Sequence, residues 1–341
     1  MSMTGLRSLL APWWAFELVT GAKAFSDNPL IGSRRLNERG LHVARVQAAQ
    51  AMAARRRRRL AKAVSPADAA AFERDGFVKV EDFLPADAFA ALRAEVMDYP
   101  GLAREQQQGD AITRRIALDP PALAALPAVR ALLAGKRWRG LLRYVDSADT
   151  EPLFYIQSIL AHRIEAAPDP QTALHADTFH PTMKAWLFLT DVAEDEGPLT
   201  YVAGSHRMTP ARLAWEQARS VNGGGADRLS QRGSARIEEE ELAGLGLPPP
   251  TPFAVPANTL VVADTSGFHA RGLSVRPSTR VEIWAYGRRR NPFLPWSGLD
   301  LQGLPGIGER RATWFWQLCD RFPRLLGQHW RDVGRKRPAE G

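Results

Sequence analysis

The sequence predicts a mainly β domain, a sandwich or barrel, set between helical and basic extensions at its two ends. Three observations point there. Short extended segments follow one another from Phe154 to Tyr286, punctuated by Gly, Pro or Asp and without the long helices of a doubly wound sheet. The length, 341 residues with 45% apolar, suits one large β-rich domain with additions rather than a disordered or multi-span chain. Charge is uneven: residues 1–63 carry a net +9, residues 64–284 a net −7 and residues 285–341 a net +6. The expected division is therefore a helical extension over 1–63, the β domain over 64–290 with an insertion at 207–250, and a C-terminal extension over 291–341.

Taken in order, the first 25 residues gather Leu6, Leu9, Leu10, Trp13, Trp14, Phe16 and Phe25 beside basic residues, the composition of an interfacial anchor. The apolar run from Leu9 to Phe16 is far short of the roughly 20 residues a spanning helix needs, and Glu17 breaks its amphipathicity. Ala44 to Ala63 is Ala/Arg-rich, so a helix is expected there, outside the main core. Its Arg55–Arg59 run is either solvated or drawn to an anionic surface. Ser65-Pro66 opens a second helix as N-cap and first residue, and Gly76 closes it ahead of a strand from Phe77 to Val80. Pro85 to Asp98 reads as a helix, and residues 100–150 as mixed, with a helix from Pro121 to Leu133. The strands follow, at Phe154–Ile164, Ala173–Phe179, Lys184–Val192, Pro198–Ala203, Thr259–Asp264, Phe268–Leu273 and Thr279–Tyr286. The 207–250 insertion, with three consecutive glycines and three consecutive prolines, is too long for a plain connection and reads as a lid. A helix at Ala312–Phe322 is expected to pack through Trp314, Phe315, Leu318 and Phe322. The single cysteine, Cys319, excludes a disulfide framework and multi-thiolate metal sites, and fits a reducing, cytoplasmic compartment. No nucleic-acid-binding motif is present, and no nucleic-acid partner is expected.

Of the histidines, His175 has a carboxylate two residues on, in His175-Ala176-Asp177. In an extended segment such residues share a face and can converge on one cation. By itself the pair also fits an ordinary core histidine. His269, after the apolar run Leu260–Asp264, offers a second imidazole. Two imidazoles and a carboxylate leave open positions on an octahedral ion, the arrangement of non-haem Fe(II) oxygen chemistry. Arg280 follows His269 by eleven residues. Two antiparallel strands joined at Pro277 would put both on one interior face, where a guanidinium can clamp a carboxylate.

Phe72-Glu73-Arg74-Asp75-Gly76-Phe77-Val78, His175-Ala176-Asp177, Ala185-Trp186-Leu187-Phe188-Leu189, Asp195-Glu196-Gly197-Pro198-Leu199 and Ala203-Gly204-Ser205-His206, closed by His269 and Arg280, resemble the phytanoyl-CoA dioxygenase family of Fe(II)/2-oxoglutarate oxygenases over about residues 70–290. The resemblance implies a double-stranded β-helix (jelly roll, cupin-like) core with flanking helices. It implies His175, Asp177 and His269 as iron ligands and Arg280 as partner of the distal carboxylate of 2-oxoglutarate. Gln157 is then a further co-substrate contact, and Trp186, Arg271 and His180 belong to the substrate pocket; His206 sits in a structural turn. The implied cofactors are Fe(II), 2-oxoglutarate and O₂. The implied reaction is hydroxylation of an organic substrate; the apolar N-terminus and basic ends add the expectation of a small-molecule or lipid substrate and of peripheral membrane contact through residues 1–63. Asp177 favours hydroxylation over halogenation. Where the family often has a small hydroxyl residue and an asparagine, this chain has Arg271 and Leu273-Ser274, which frees Arg271 to meet an anionic substrate. The alternative is a catalytically silent jelly roll that binds a metabolite or a membrane-associated partner; the intact ligand set argues against it.

Overall fold

A computed structural model describes residues 3–225, 227–287, 291–295 and 307–340; the side chains of residues 3–9, Leu6 and Leu9 among them, lie outside the described residues. Among the described residues there are eleven strands: β1 Phe77–Val80, β2 Gly101–Gln108, β3 Ala111–Ala117, β4 Leu153–Ala161, β5 Met183–Phe188, β6 Leu199–Tyr201, β7 Thr251–Pro252, β8 Leu260–Asp264, β9 His269–Arg271, β10 Ser278–Tyr286 and β11 Arg331–Lys336. Eight form an antiparallel sheet in the order β1-β8-β5-β10-β4-β3-β2-β11, and three form a smaller sheet, β7-β6-β9. β10 lies inside the large sheet, paired with β4 from Ser278↔Ala161 to Tyr286↔Leu153 and with β5 on its other side.

Alternation along β10 sorts its residues. Val281, Ile283 and Ala285 join Ile156, Leu187 and Leu260 on the face covered by helices that supply Phe72, Leu92, Trp138 and Leu141. Each valine, leucine, isoleucine or phenylalanine among them contributes about 1.5–3 kcal/mol on burial. Arg280, Glu282, Trp284 and Tyr286 point the other way. There Trp284, Trp186, Phe188 and Val261 pack with Leu199, Tyr201 and Phe253 of the smaller sheet and its approaches. Two sheets closing over a shared interior make the double-stranded β-helix that the resemblance implied, with helices on the outer face.

Local chemistry explains most boundaries. Ser65 accepts from Asp68 N to cap the Pro66–Asp75 helix, and Gly76 ends it with φ +86°, its N–H on the Phe72 carbonyl. A side chain at Gly76 would also put its Cβ 2.5 Å from the His206 ring, so glycine is required twice over.

Four expectations need correction. Residues 100–150 contain β2 and β3 before their helices; β2 reads Gly-Leu-Ala-Arg-Glu-Gln-Gln-Gln, a weak strand former held by ladders to β3 and β11. Ala173–Phe179 forms no strand, only isolated bridges from His175 to Arg236 and His269. The Leu41–Leu60 helix is not outside the core, because Val46, Ala49 and Ala53 are buried and small enough for close packing. Within its basic run, Arg56 and Arg57 turn inward: Arg56 donates to the Ser147 and Pro292 carbonyls, and Arg57 to those of Tyr144 and Val145. Finally, the Arg311–Arg321 helix buries Ala312, Trp316 and Cys319, while Trp314, Phe315, Leu318 and Phe322 are about half exposed. Trp316 wins the inner face by seating 5.6 Å from Tyr155, ring centre to ring centre.

The 207–250 segment is helical and packed. It holds Trp215 edge-on to Phe268 and buries Ile237 and Leu242 beside Leu174 and Val202. Among the described residues, no helix is long and apolar enough to cross a membrane.

Candidate metal centre

The two histidines meet through their backbones. His175 N–H donates to the His269 carbonyl and His269 N–H to the His175 carbonyl, both at 3.0 Å, so the pair exchanges both bonds as antiparallel neighbours do. Their rings face the same side, with centres 4.6 Å apart. Asp177 N–H donates to the Thr265 carbonyl at 2.8 Å, which brings its carboxylate back over the rings. One oxygen of Asp177 lies 3.7 Å from His175 Nε2 and the other 3.8 Å from His269 Nε2. One ligand atom from each of the three falls within 4.8 Å of the others.

The surroundings set these groups for a cation. Nδ1 of His175 lies 2.8 Å from the Ala173 carbonyl and Nδ1 of His269 3.0 Å from the Gly267 carbonyl. A carbonyl only accepts, so each Nδ1 carries the proton and each Nε2 presents its lone pair inward. Burial is the main cause that pushes the His175 imidazole down to about 3 and the His269 imidazole to about 4, so both are neutral at pH 7. Burial alone would raise the Asp177 carboxyl, but the Lys184 ammonium and the imidazoles outweigh it and hold it well below the usual range. His269 Nε2 is buried without a hydrogen-bond partner. A buried, unpaired lone pair beside a second imidazole and a carboxylate fits a divalent metal bound through three protein ligands.

Arg280 reaches the same cavity from the opposite sheet. This corrects the expected hairpin: β9 carries His269 in the small sheet and β10 carries Arg280 in the large one, because the chain crosses between sheets over residues 272–277. Arg280 is buried; its Nη1 donates to the Gly197 carbonyl (2.8 Å) and its Nε to Glu282 (3.1 Å). Gln157, paired with Glu282 across β4 and β10, donates to the other Glu282 oxygen at 2.6 Å and accepts from Arg115 Nε at 2.7 Å. The row Arg280–Glu282–Gln157–Arg115 is thus one hydrogen-bonded chain across three strands.

A cavity of about 1370 Å³ joins these groups, and Gln157, Trp186, His180, Arg271 and Arg280 all line it with the triad. Arg271 is not free there, since its guanidinium is ion-paired to buried Asp169 at 2.5 Å.

Four contributors escaped sequence reasoning. Glu282 stands two residues after Arg280 and shares its face, a signal that was legible. Lys184, 2.7 Å from the second Asp177 oxygen, likewise stands two before Trp186. Arg115 lay in a region not read as strand. Lys23 donates to the Asp177 carbonyl from the N-terminal extension, a contact no local pattern announces. That extension is tied down by buried Arg45, which donates to the carbonyls of Leu18, Thr20 and Ala22.

Comparison with known proteins agrees with this site. The phytanoyl-CoA dioxygenase (PhyH) family model matches residues 72–240, which include His175 and Asp177. No curated protein matches the chain. Among solved structures, the epimerase SnoN, crystallised with Fe3+, alpha ketoglutarate and nogalamycin RO, is 19% identical with a TM-score of 0.45, over 71% of this chain and 90% of its own. HygX from Streptomyces hygroscopicus, with nickel, 2-oxoglutarate and hygromycin B bound, is 16% identical with a TM-score of 0.42, over 65% and 87%. AviO1 from Streptomyces viridochromogenes Tue57 is 20% identical with a TM-score of 0.40, over 66% and 96%. These are partial superpositions, and the assignment rests on the matched segment together with the donor geometry. On those grounds residues 72–240 are similar to the phytanoyl-CoA dioxygenase (PhyH) family, and the chain completes within that fold a His–Asp–His donor set that could hold a metal ion.

Proposed function

We propose that the protein hydroxylates a C–H bond of an organic substrate, with His175, Asp177 and His269 holding Fe(II) and Arg280 receiving the distal carboxylate of 2-oxoglutarate. The observation that carries this reading is the buried, unpaired His269 Nε2 in a His–Asp–His cluster that shares a cavity with a buried arginine. When bound, the iron with 2-oxoglutarate and O₂ supplies the oxidising chemistry, with succinate and CO₂ as by-products.

The chain's own residues bind and orient. The Ala173 and Gly267 carbonyls fix the ring tautomers, and Lys184 keeps Asp177 ionised. Glu282 and the Gly197 carbonyl immobilise two nitrogens of Arg280, while its Nη2 makes no hydrogen bond among the described residues. A guanidinium held this way loses little freedom when a carboxylate arrives.

Arg280→Met alone would strand Glu282, so the test pairs it with Glu282→Gln. The double variant should raise the KM for 2-oxoglutarate by roughly 30- to 100-fold, the value of a lost charge-assisted contact. Co(II) affinity, measured by titration, should stay within about twofold. An unchanged KM would remove Arg280 from this role.

A peripheral contact with an anionic membrane, on the cytoplasmic side, is part of the same reading. Trp13 and Phe16 are more than half exposed, with ring centres 5.6 Å apart, the composition of an interfacial anchor. Trp13→Ala/Phe16→Ala should weaken binding to phosphatidylserine-containing vesicles about tenfold. Equal sedimentation of both proteins with vesicles would end this part of the proposal.

A further inference from the structure

Among the cations lining the cavity, the half-buried Arg115 stands in an environment unlike that of Arg271, Arg280 or Lys184. Arg271 is paired with Asp169, Arg280 with Glu282, and Lys184 with Asp177. Arg115 has no carboxylate within ion-pair distance among the described residues. Its Nε donates to Gln157, and its two terminal nitrogens make no hydrogen bond there. Burial lowers this guanidinium to about 10, so it is still charged at neutral pH.

Aromatic faces take the place of a counter-ion. The guanidinium carbon lies 4.0 Å from the centre of the Trp284 ring, 4.5 Å from Trp330 and 5.3 Å from Tyr155. Trp284 and Tyr155 are cross-strand partners on β10 and β4, one step along from the Glu282–Gln157 pair. Trp330 arrives from the C-terminal extension, brought over β3 by the pairing of β11 with β2. The two tryptophans hold the guanidinium through their ring faces, and all three side chains line the cavity that the metal triad also lines. An acidic middle region makes this concentration of positive charge a local feature, not a reflection of the whole chain.

We propose that Arg115 receives an anionic group of the organic substrate, a carboxylate or a phosphate, while Trp284 and Trp330 hold the flat or apolar portion next to it. The proposal deepens the hydroxylase reading, since it names what enters the cavity, and rests on that reading for the word substrate. It also gives the C-terminal extension a part in specificity, through Trp330.

The test uses the full chain loaded with Zn(II) and 2-oxoglutarate, and reads tryptophan fluorescence against benzoate, phenyl phosphate, dodecyl phosphate and uncharged benzyl alcohol. The anions should bind at least about tenfold more tightly than benzyl alcohol, as a charge-assisted contact requires. Arg115→Gln should remove that preference, Arg115→Lys should restore part of it, and Trp330→Leu should weaken every aromatic probe. Preference for dodecyl over phenyl phosphate would assign the anion to an amphiphile, and the reverse order to a small aromatic acid; both carry the proposal. Equal binding of benzyl alcohol would overturn it. So would a rise in the KM for 2-oxoglutarate in Arg115→Gln matching that of the Arg280 variant, because Arg115 would then serve the co-substrate. Succinate formation by the unaltered enzyme is followed separately, so a failed oxygenase reading shows there and not in the probe titrations.

Discussion

Alanine at Asp177 should lower Fe(II)-dependent succinate formation from 2-oxoglutarate by roughly a thousandfold or more, the scale expected when a ligand is lost rather than a group behind it. His175→Ala and His269→Ala should fall in the same range, with Asp177→Ala the most severe. The reason lies in the charges. Asp177 is the anion of the cluster, and one of its oxygens is 2.7 Å from the Lys184 ammonium. Without the carboxylate, an incoming divalent ion meets two neutral imidazoles and an uncompensated ammonium, so attraction is replaced by repulsion. Removing one imidazole leaves the carboxylate and the other ring in place. Co(II) binding followed by visible absorption checks the order independently of turnover. In an Asp177→Ala background, Lys184→Met should recover part of the metal affinity. Unaltered succinate production by Asp177→Ala would remove this ligand assignment.

The sequence disclosed the site more fully than the path that builds it. His175-Ala176-Asp177 was readable because the donors stand two apart, and His269 and Arg280 because the chemistry needs a second imidazole and a guanidinium. Their mutual placement was not readable. His269 and Arg280 look like neighbours on one hairpin, yet they face each other from two sheets. Strand periodicity tells which way a side chain points but not which sheet a short strand joins. Likewise β2, with three glutamines in succession, has no intrinsic preference for a strand and takes that form from its partners on both sides.

The basic run at 55–59 shows the opposite failure, where composition suggested too simple a role. Five arginines in a row look like a solvated or surface-seeking tail. On a helix, however, consecutive residues point about 100° apart. Two of the five therefore face the body, and the charge that seemed outward is partly internal. Arg56 and Arg57 each cap backbone carbonyls near the end of the Lys136–Asp146 helix, a favourable place for a cation.

Arg57→Ala should cost about 3–5 kcal/mol of folding stability, the range for breaking a buried ion pair from one side. Arg57 Nη2 lies 3.1 Å from Asp264 Oδ2, and both side chains are at most one-tenth exposed. The other Asp264 oxygen accepts from Ser266 N and Oγ at 3.0 and 2.8 Å, so the carboxylate is anchored in the turn after β8 and cannot swing to solvent. That turn also holds Thr265, whose carbonyl receives Asp177 N–H. Loss of Arg57 thus leaves a trapped charge one residue from the contact that places a proposed iron ligand. It also removes the guanidinium stacked 4.4 Å from the Phe72 ring. Urea denaturation measures the loss. Arg57→Ala/Asp264→Asn should be less damaging than the two single changes added together, with a coupling of about 1–3 kcal/mol, because the second change removes the stranded charge. Additive effects, or a cost below about 1 kcal/mol for Arg57→Ala, would mean that the Leu41–Leu60 helix is a loosely attached appendage. The expected outcome makes it a brace for the turn on which the metal centre is built.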